Sequence, residues 1–206
     1  MANKGVETTC GSSPASVEIV RALACVNPWT WIGSLFAVQA AGSVVVARAL
    51  RLTPTDVALP IAVLCAGVVI AFVFRVIDRE DKLGVWKWWL TPVIYGAFIF
   101  LLSDRSFEVS SASFNGNYFH PIEYMTLGFL ACLAWHPMLA SKSTLSLFLA
   151  VMLSGLLFGI ADEVHQHFIP GRTMSIGDLC LDVLGLMAGF GIFLLFQWTR
   201  KMVAGP

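Results

Sequence analysis

Ser143-Thr-Leu-Ser-Leu-Phe-Leu-Ala-Val-Met-Leu-Ser-Gly-Leu-Leu-Phe-Gly-Ile-Ala161 runs without a break into Asp162-Glu-Val-His-Gln-His-Phe-Ile-Pro-Gly-Arg172. The first nineteen residues carry no charge. A helix of about 20 apolar residues, each rising about 1.5 Å, spans a hydrocarbon core roughly 30 Å thick. The polar part continues the same helix, and Pro170-Gly171 stops it. Four more charge-free blocks occupy Pro28–Ala47, Val57–Phe74, Trp88–Ser103 and Val183–Thr199, and Tyr124–Ser141 has only His136 as an ionisable group. Runs this long and unalternating predict helices, because lipid leaves no water to satisfy an open backbone. The expected fold is all-α, a polytopic transmembrane bundle of about six helices. Five is the alternative count, because Pro137 breaks the Tyr124 block.

Composition agrees. The chain is 57% hydrophobic and 13% charged, where a soluble domain has roughly 25% charged residues. A surface with so little charge belongs in lipid, and the lipid bilayer is the first partner. Net charge is zero and no basic, aromatic-laced patch exists, which excludes nucleic acid as a partner. The cysteines at 10, 25, 65, 132 and 180 lack metal or redox spacing.

Residues 1–27 read as a polar tail that ends in a surface helix, Ser16–Cys25. Asn27-Pro28 reads as an N-cap followed by the first helical residue. Trp29, Trp31, Trp86, Trp88 and Trp89 suit an interfacial belt. Lys4, Arg21, Arg75, Arg79, Lys82, Lys87, Lys142, Arg200 and Lys201 fall on one side of the membrane, and Arg48, Arg51, Arg105 and Arg172 on the other. Excess positive charge stays in the cytoplasm. Both termini are therefore expected there, in a bacterial cytoplasmic (inner) membrane, with the polar end of the 143–167 helix facing outward.

The polar residues at that outer end form the candidate site. Gly155, Gly159, Asp162 and Gln166 share one helix face, as do Asp178, Asp182, Gly185 and Gly189 on the next helix. Each face carries a GxxxG pair of the kind that lets membrane helices approach closely. Packing the two glycine faces together in an antiparallel hairpin predicts Asp162 beside Asp182 and Gln166 beside Asp178. Ser175-Ile-Gly-Asp178 reads as a capping box. His120 and Glu123, three apart at the start of the Tyr124 helix, reach the same end. Three carboxylates gathered in a low-dielectric site cannot all ionise unpartnered. Protonation, pairing with Arg172, His165 or His167, or a bound cation are the open solutions. The bland reading, a structural hydrogen-bond network tying the hairpin, stays open beside a functional one. His136, beside Pro137, reads as interfacial with no chemistry, and Asp78 as an ordinary solvated end.

Asp162-Glu-Val-His-Gln, Pro170-Gly-Arg172, Asp178 and Gly185 together resemble the VanZ-like signature. His120…Glu123-Tyr124 with Leu127-Gly128 is similar to that family's earlier motif, and Leu101-Leu-Ser103 to a weaker third one. Asp182 stands where the family usually has Asn, and Asn117-Tyr-Phe lacks the charge common there. The resemblance implies a four-helix core over residues 86–200, with two added N-terminal helices and their loop over 28–85 and a short tail, 201–206. It also implies an envelope role, the founding member being associated with low-level resistance to the glycopeptide teicoplanin.

Three functions fit these residues. The first is binding of a lipid-linked envelope precursor or other anionic ligand at the outer face. Arg172 would anchor it, among Gln166, His120, Glu123, Asp178 and Asp182. The second is a non-catalytic accessory subunit among other membrane protein subunits. The third is a metal-dependent membrane hydrolase or transferase. There Asp162 or Glu163 would act as base, and His165, His120 and Glu123 would hold a divalent metal such as zinc or manganese. No standard zinc spacing such as HExxH is present and no Ser or Cys nucleophile stands out, so the sequence assigns no cofactor and names no reaction.

Overall fold

The computed structural model describes residues 27–78, 84–104, 120–139, 141–170 and 172–204. The polar tail with its Ser16–Cys25 helix, Arg79, Lys82, Arg105, Asn117 and Gly171 lie outside the described residues. Among the described residues six α-helices run in order: α1 Pro28–Ala49, α2 Pro54–Ile77, α3 Leu90–Ser103, α4 His120–Trp135, α5 Thr144–Gln166 and α6 Ile176–Ala204, with a 3₁₀ turn, Val85–Trp89, leading into α3. No strand occurs among the described residues. The protein is an all-α helical bundle.

Local chemistry sets the helix ends. Asn27 caps α1, its Oδ1 accepting from Trp29 N at 2.8 Å, with Pro28 at the first position. α1 closes with Leu52 N on Ala47 O at 2.9 Å, Arg51 sitting at φ 57° in the left-handed region, a conformation a helix terminus commonly uses. Ser143 caps α5, accepting from Ser146 N at 3.2 Å. The charge-free blocks reappear as helices, but α5 and α6 extend through the polar residues beside them.

Five of these spans are long and apolar enough to cross a membrane; the 16-residue α4 is not one of them. Sixteen residues rise only about 24 Å. α4 ends at Trp135, before Pro137. It is the helix held inside the bundle, with His120, Tyr124, Leu127, Leu130 and Cys132 all buried. α5 shows the opposite pattern: Leu145, Leu149, Leu153 and Leu157 form an exposed apolar stripe, costly in water but matched by hydrocarbon. The chain is a multi-pass membrane protein.

The glycine seams correct the expected hairpin. Those of α5 and α6 do not face each other. α6 turns Gly185 and Gly189 onto α4, running parallel to it. A Cβ at Gly185 would meet Pro121 O at 2.6 Å, and one at Gly189 would overlap the Met125 carbonyl and meet Phe129 N at 2.8 Å. From the α4 side, Gly128 lies against the Leu186 backbone. α5 is antiparallel to α6, but Gly159 meets the Asp182 carboxylate and Gly155 the Leu186 side chain. That register differs by about one turn from a glycine-on-glycine seam. The reason is angular: Asp182 and Leu186 lie on one stripe of α6 and Gly185 and Gly189 on the adjacent one, so a single helix serves two neighbours.

The other end of the bundle holds a second surprise. Asp78, expected as a solvated end, is buried and ion-paired with buried Lys87. Trp29 stacks between Phe74 and Trp88 at 4.7 and 4.8 Å, next to that pair. An apolar cavity of about 290 Å³ opens between α1, α4 and α6, lined by Trp31, Leu35, Met125, Phe129 and Phe196 among others, and none of the candidate site residues lines it.

Two stability predictions follow from this packing. Gly189→Ala should destabilise the detergent-solubilised protein by about 1–3 kcal/mol, as overpacking of a tight contact does. Gly191→Ala, whose Cβ meets nothing within 4 Å, should leave the melting temperature unchanged; equal effects would show that α4 and α6 are not in backbone contact. Lys87→Met alone should cost about 3 kcal/mol by removing an ion-pair partner from a buried carboxylate. The same substitution combined with Asp78→Asn should recover most of that loss in the same thermal assay.

Candidate functional site

The end of α3, the start of α4, the end of α5 and the start of α6 meet at the end of the bundle opposite the C-terminus. Because α4 and α6 lie parallel and in backbone contact, their first turns stand side by side. His120 Nδ1 and Asp182 Oδ1 are 2.9 Å apart, both buried. The second Asp182 oxygen rests over Gly159, 3.2 Å from where a Cβ would stand. Gly159 is therefore the space that Asp182 occupies. Tyr124, fully buried, lies under the histidine, ring centroids 6.2 Å apart.

Asp162 lies within electrostatic reach of Asp182, as expected, but its hydrogen bonds go elsewhere. Its Oδ2 accepts from Ser103 Oγ at 2.9 Å and from Gln166 Nε2 at 2.9 Å. Gln166 Nε2 also lies 3.3 Å from Ser103 Oγ, and its Oε1 accepts from Arg172 at 2.8 Å. The expected Gln166–Asp178 neighbour pair is replaced by a relay from the α3 end through α5 to the loop arginine. Arg172 thus reaches a neutral amide, not a carboxylate; among the described residues its guanidinium makes no ion pair.

Glu163, on the next face of α5, is 1% exposed, and its Oε2 accepts the Ser175 backbone N–H at 2.7 Å. A capping box would hand that donor to the Asp178 carboxylate. Ser175 still caps α6, Asp178 N donating to its Oγ at 3.2 Å, but the reciprocal half of the box is taken by Glu163. His120, Glu163 and Asp178, all buried, offer ligand atoms within 4.8 Å of one another. Glu123 sits half-buried on α4, within electrostatic reach of His120, Asp162, Asp182 and Arg172.

His165 stands apart. It stacks on Phe100 at 4.1 Å, with Nε2 3.4 Å from Asp104 Oδ1 and outside the buried cluster. His167 is exposed, and its ring meets Phe168 edge-on. His136, beyond α4 at the other end, lies 5.4 Å from the Phe193 ring. Burial and the Lys201 charge push its imidazole below the usual histidine range, which suits a packing role.

A family model described as VanZ/LLP1 matches residues 62–197, about two thirds of the chain. The chain belongs to the VanZ/LLP1 family. The match begins inside α2 and takes in every residue of the cluster. No curated protein and no solved structure matches the chain.

Sequence reasoning gathered the right helix ends of this VanZ/LLP1 protein but missed several partners. Ser103 carried a motif resemblance and no role, yet it donates to Asp162. The Ser175 N–H is a backbone group, invisible in a list of side chains. Gln39 Nε2 donates to Thr126 Oγ1 at 2.7 Å, tying α1 to α4; a lone glutamine inside an apolar block was the available signal.

The Ser103–Asp162–Gln166 network should behave as one unit. Ser103→Ala should cost about 1–3 kcal/mol, the desolvation of an acceptor that loses a donor. Adding Gln166→Leu should give a coupling energy above about 0.5 kcal/mol in a double-mutant cycle. Strictly additive denaturation midpoints would show that the three side chains are not connected.

Proposed function

We propose that this VanZ/LLP1 protein binds an anionic, lipid-linked envelope ligand at the outer face of a bacterial cytoplasmic membrane, with Arg172 as its anchor. The supporting observation is the relay Ser103–Asp162–Gln166–Arg172. It holds the guanidinium at the mouth of the cluster through a neutral amide oxygen, so most of its N–H donors remain for a ligand. A guanidinium fork matches a phosphate in a bidentate manner, and a head group approaching along the membrane surface meets it before the buried acids. The excess of basic residues on the opposite side supports an outward-facing cluster, with both termini in the cytoplasm. On this reading residues 86–200 form the binding core, and α1 and α2 flank it, joined through the Gln39–Thr126 bond.

The test uses full-length protein in nanodiscs, titrated with a polyprenyl diphosphate and, separately, with a neutral lipid. Saturable binding of the diphosphate alone is expected. Arg172→Ala should weaken it about 10- to 100-fold, the equivalent of a charge-assisted hydrogen bond of about 1.5–3 kcal/mol. Arg172→Lys should recover part of the loss, because a point charge still attracts phosphate but cannot fork onto it. Diphosphate affinity indifferent to Arg172→Ala would remove the reading.

A further inference from the structure

The geometry points to a divalent cation site built from His120, Glu163 and Asp178, one side chain from each of α4, α5 and α6. This ligand set differs from the one expected in sequence: His165 lies at the rim and Glu123 is not in the triad.

Three observations converge on it. First, the three ligand atoms lie within 4.8 Å of one another, in buried side chains. Around a tetrahedral ion with bonds of about 2.1 Å, ligand atoms stand about 3.4 Å apart. Shifts of about 1 Å, within the reach of side-chain torsions, close that gap. Second, buried oxygens are left without hydrogen-bond partners. Among the described residues, Glu163 gives Oε2 to Ser175 and keeps Oε1 unpartnered, and Asp182 Oδ2 and, outside the triad, Asp162 Oδ1 are likewise unpartnered, all in residues 1% exposed. An unpaired buried carboxylate oxygen is costly, and a cation beside it removes the cost. Third, one ring nitrogen of His120 is already engaged by a carboxylate. Asp182 holds its Nδ1 at 2.9 Å, leaving Nε2 to bind metal. A carboxylate behind a ligating histidine fixes its tautomer and raises its basicity.

One nitrogen and two carboxylates suit zinc or manganese. Two carboxylates neutralise the charge of one divalent ion, so the triad enters the low-dielectric end of the bundle without net charge. Three protein ligands leave a fourth position open to water or to an oxygen of a ligand. Asp162 stays outside this set, its Oδ2 engaged by Ser103 and Gln166. The ion site stands independently of the head-group reading, since no lipid enters its definition or its test.

The experiment takes full-length protein in nanodiscs, stripped with chelator, and titrates it with Zn²⁺ alone and Mn²⁺ alone by calorimetry, then with Co²⁺ by visible absorbance. One ion per chain and a cobalt spectrum typical of nitrogen and oxygen ligands are expected. Glu163→Gln and Asp178→Asn should each lose stoichiometric uptake. Asp182→Asn, which acts through His120, should weaken uptake about 10- to 100-fold, and Asp104→Asn, at the rim, should leave it unchanged. Each variant is compared only if its gel-filtration profile and far-UV circular dichroism match those of the parent. The titration of the unaltered protein decides by itself: uptake of neither Zn²⁺ nor Mn²⁺ overturns the site. So does one ion bound with the same affinity after Glu163→Gln and after Asp178→Asn.

Discussion

Contact between the backbones of α4 and α6 is the constraint on which the rest of the molecule depends. Gly185 and Gly189 bring α6 against the carbonyls and amides of α4 around Pro121, Met125 and Phe129, and Gly128 returns the contact. No hydrophobic driving force separates protein from lipid tails inside a bilayer, so association of helices rests on close van der Waals fit and on polar contacts. The two helices run parallel, and closeness along their length places their first turns together. His120 meets Asp182 there and nowhere else. α5 then packs antiparallel, with Gly159 over Asp182, and delivers Glu163 to the same space.

The polar end divides into two parts with different electrical characters. Around Asp162 the partners are a hydroxyl and an amide, ending at Arg172 on the loop. Hydrogen bonds engage Asp162 Oδ2 and give this part the geometry of a brace between α3, α5 and the α5–α6 loop, while Asp162 Oδ1 has no hydrogen-bond partner among the described residues. Around His120 the partners are carboxylates, some of whose oxygens have no donor. A brace explains the engaged oxygen of the first part. It does not explain the second, because buried unpaired acceptors weaken a membrane bundle unless something positive comes to them. The opposite end of the bundle shows the same chemistry resolved internally, with Lys87 supplying the charge that Asp78 needs.

Helix α4 shows why the central element was the hardest to read. Its 16 residues are too short to register as a span, and its polar start and Pro137 end blur the block. Surrounded by neighbours, it needs neither full membrane length nor an apolar first turn. The outer helices, by contrast, meet lipid directly, and α5 exposes leucine after leucine to it. Length and an unbroken apolar run made the other helices legible, and α4 has neither.

The sequence by itself determined the helical class, the membrane setting, the helix ends that gather the polar residues and the family those residues resemble. Each of these depends on local quantities: length of an apolar run, a cap, a spacing of three or four, a motif. The tertiary structure decided the partners. It moved the α6 glycines from α5 to α4, gave Asp162 the hydrogen bonds of Ser103 and Gln166, gave the Ser175 N–H to Glu163, and set His165 outside the cluster. The physical reason is that periodicity fixes which residues share a face but not which neighbour that face meets. A helix has several stripes, and the choice among neighbours is made by close packing of the whole bundle.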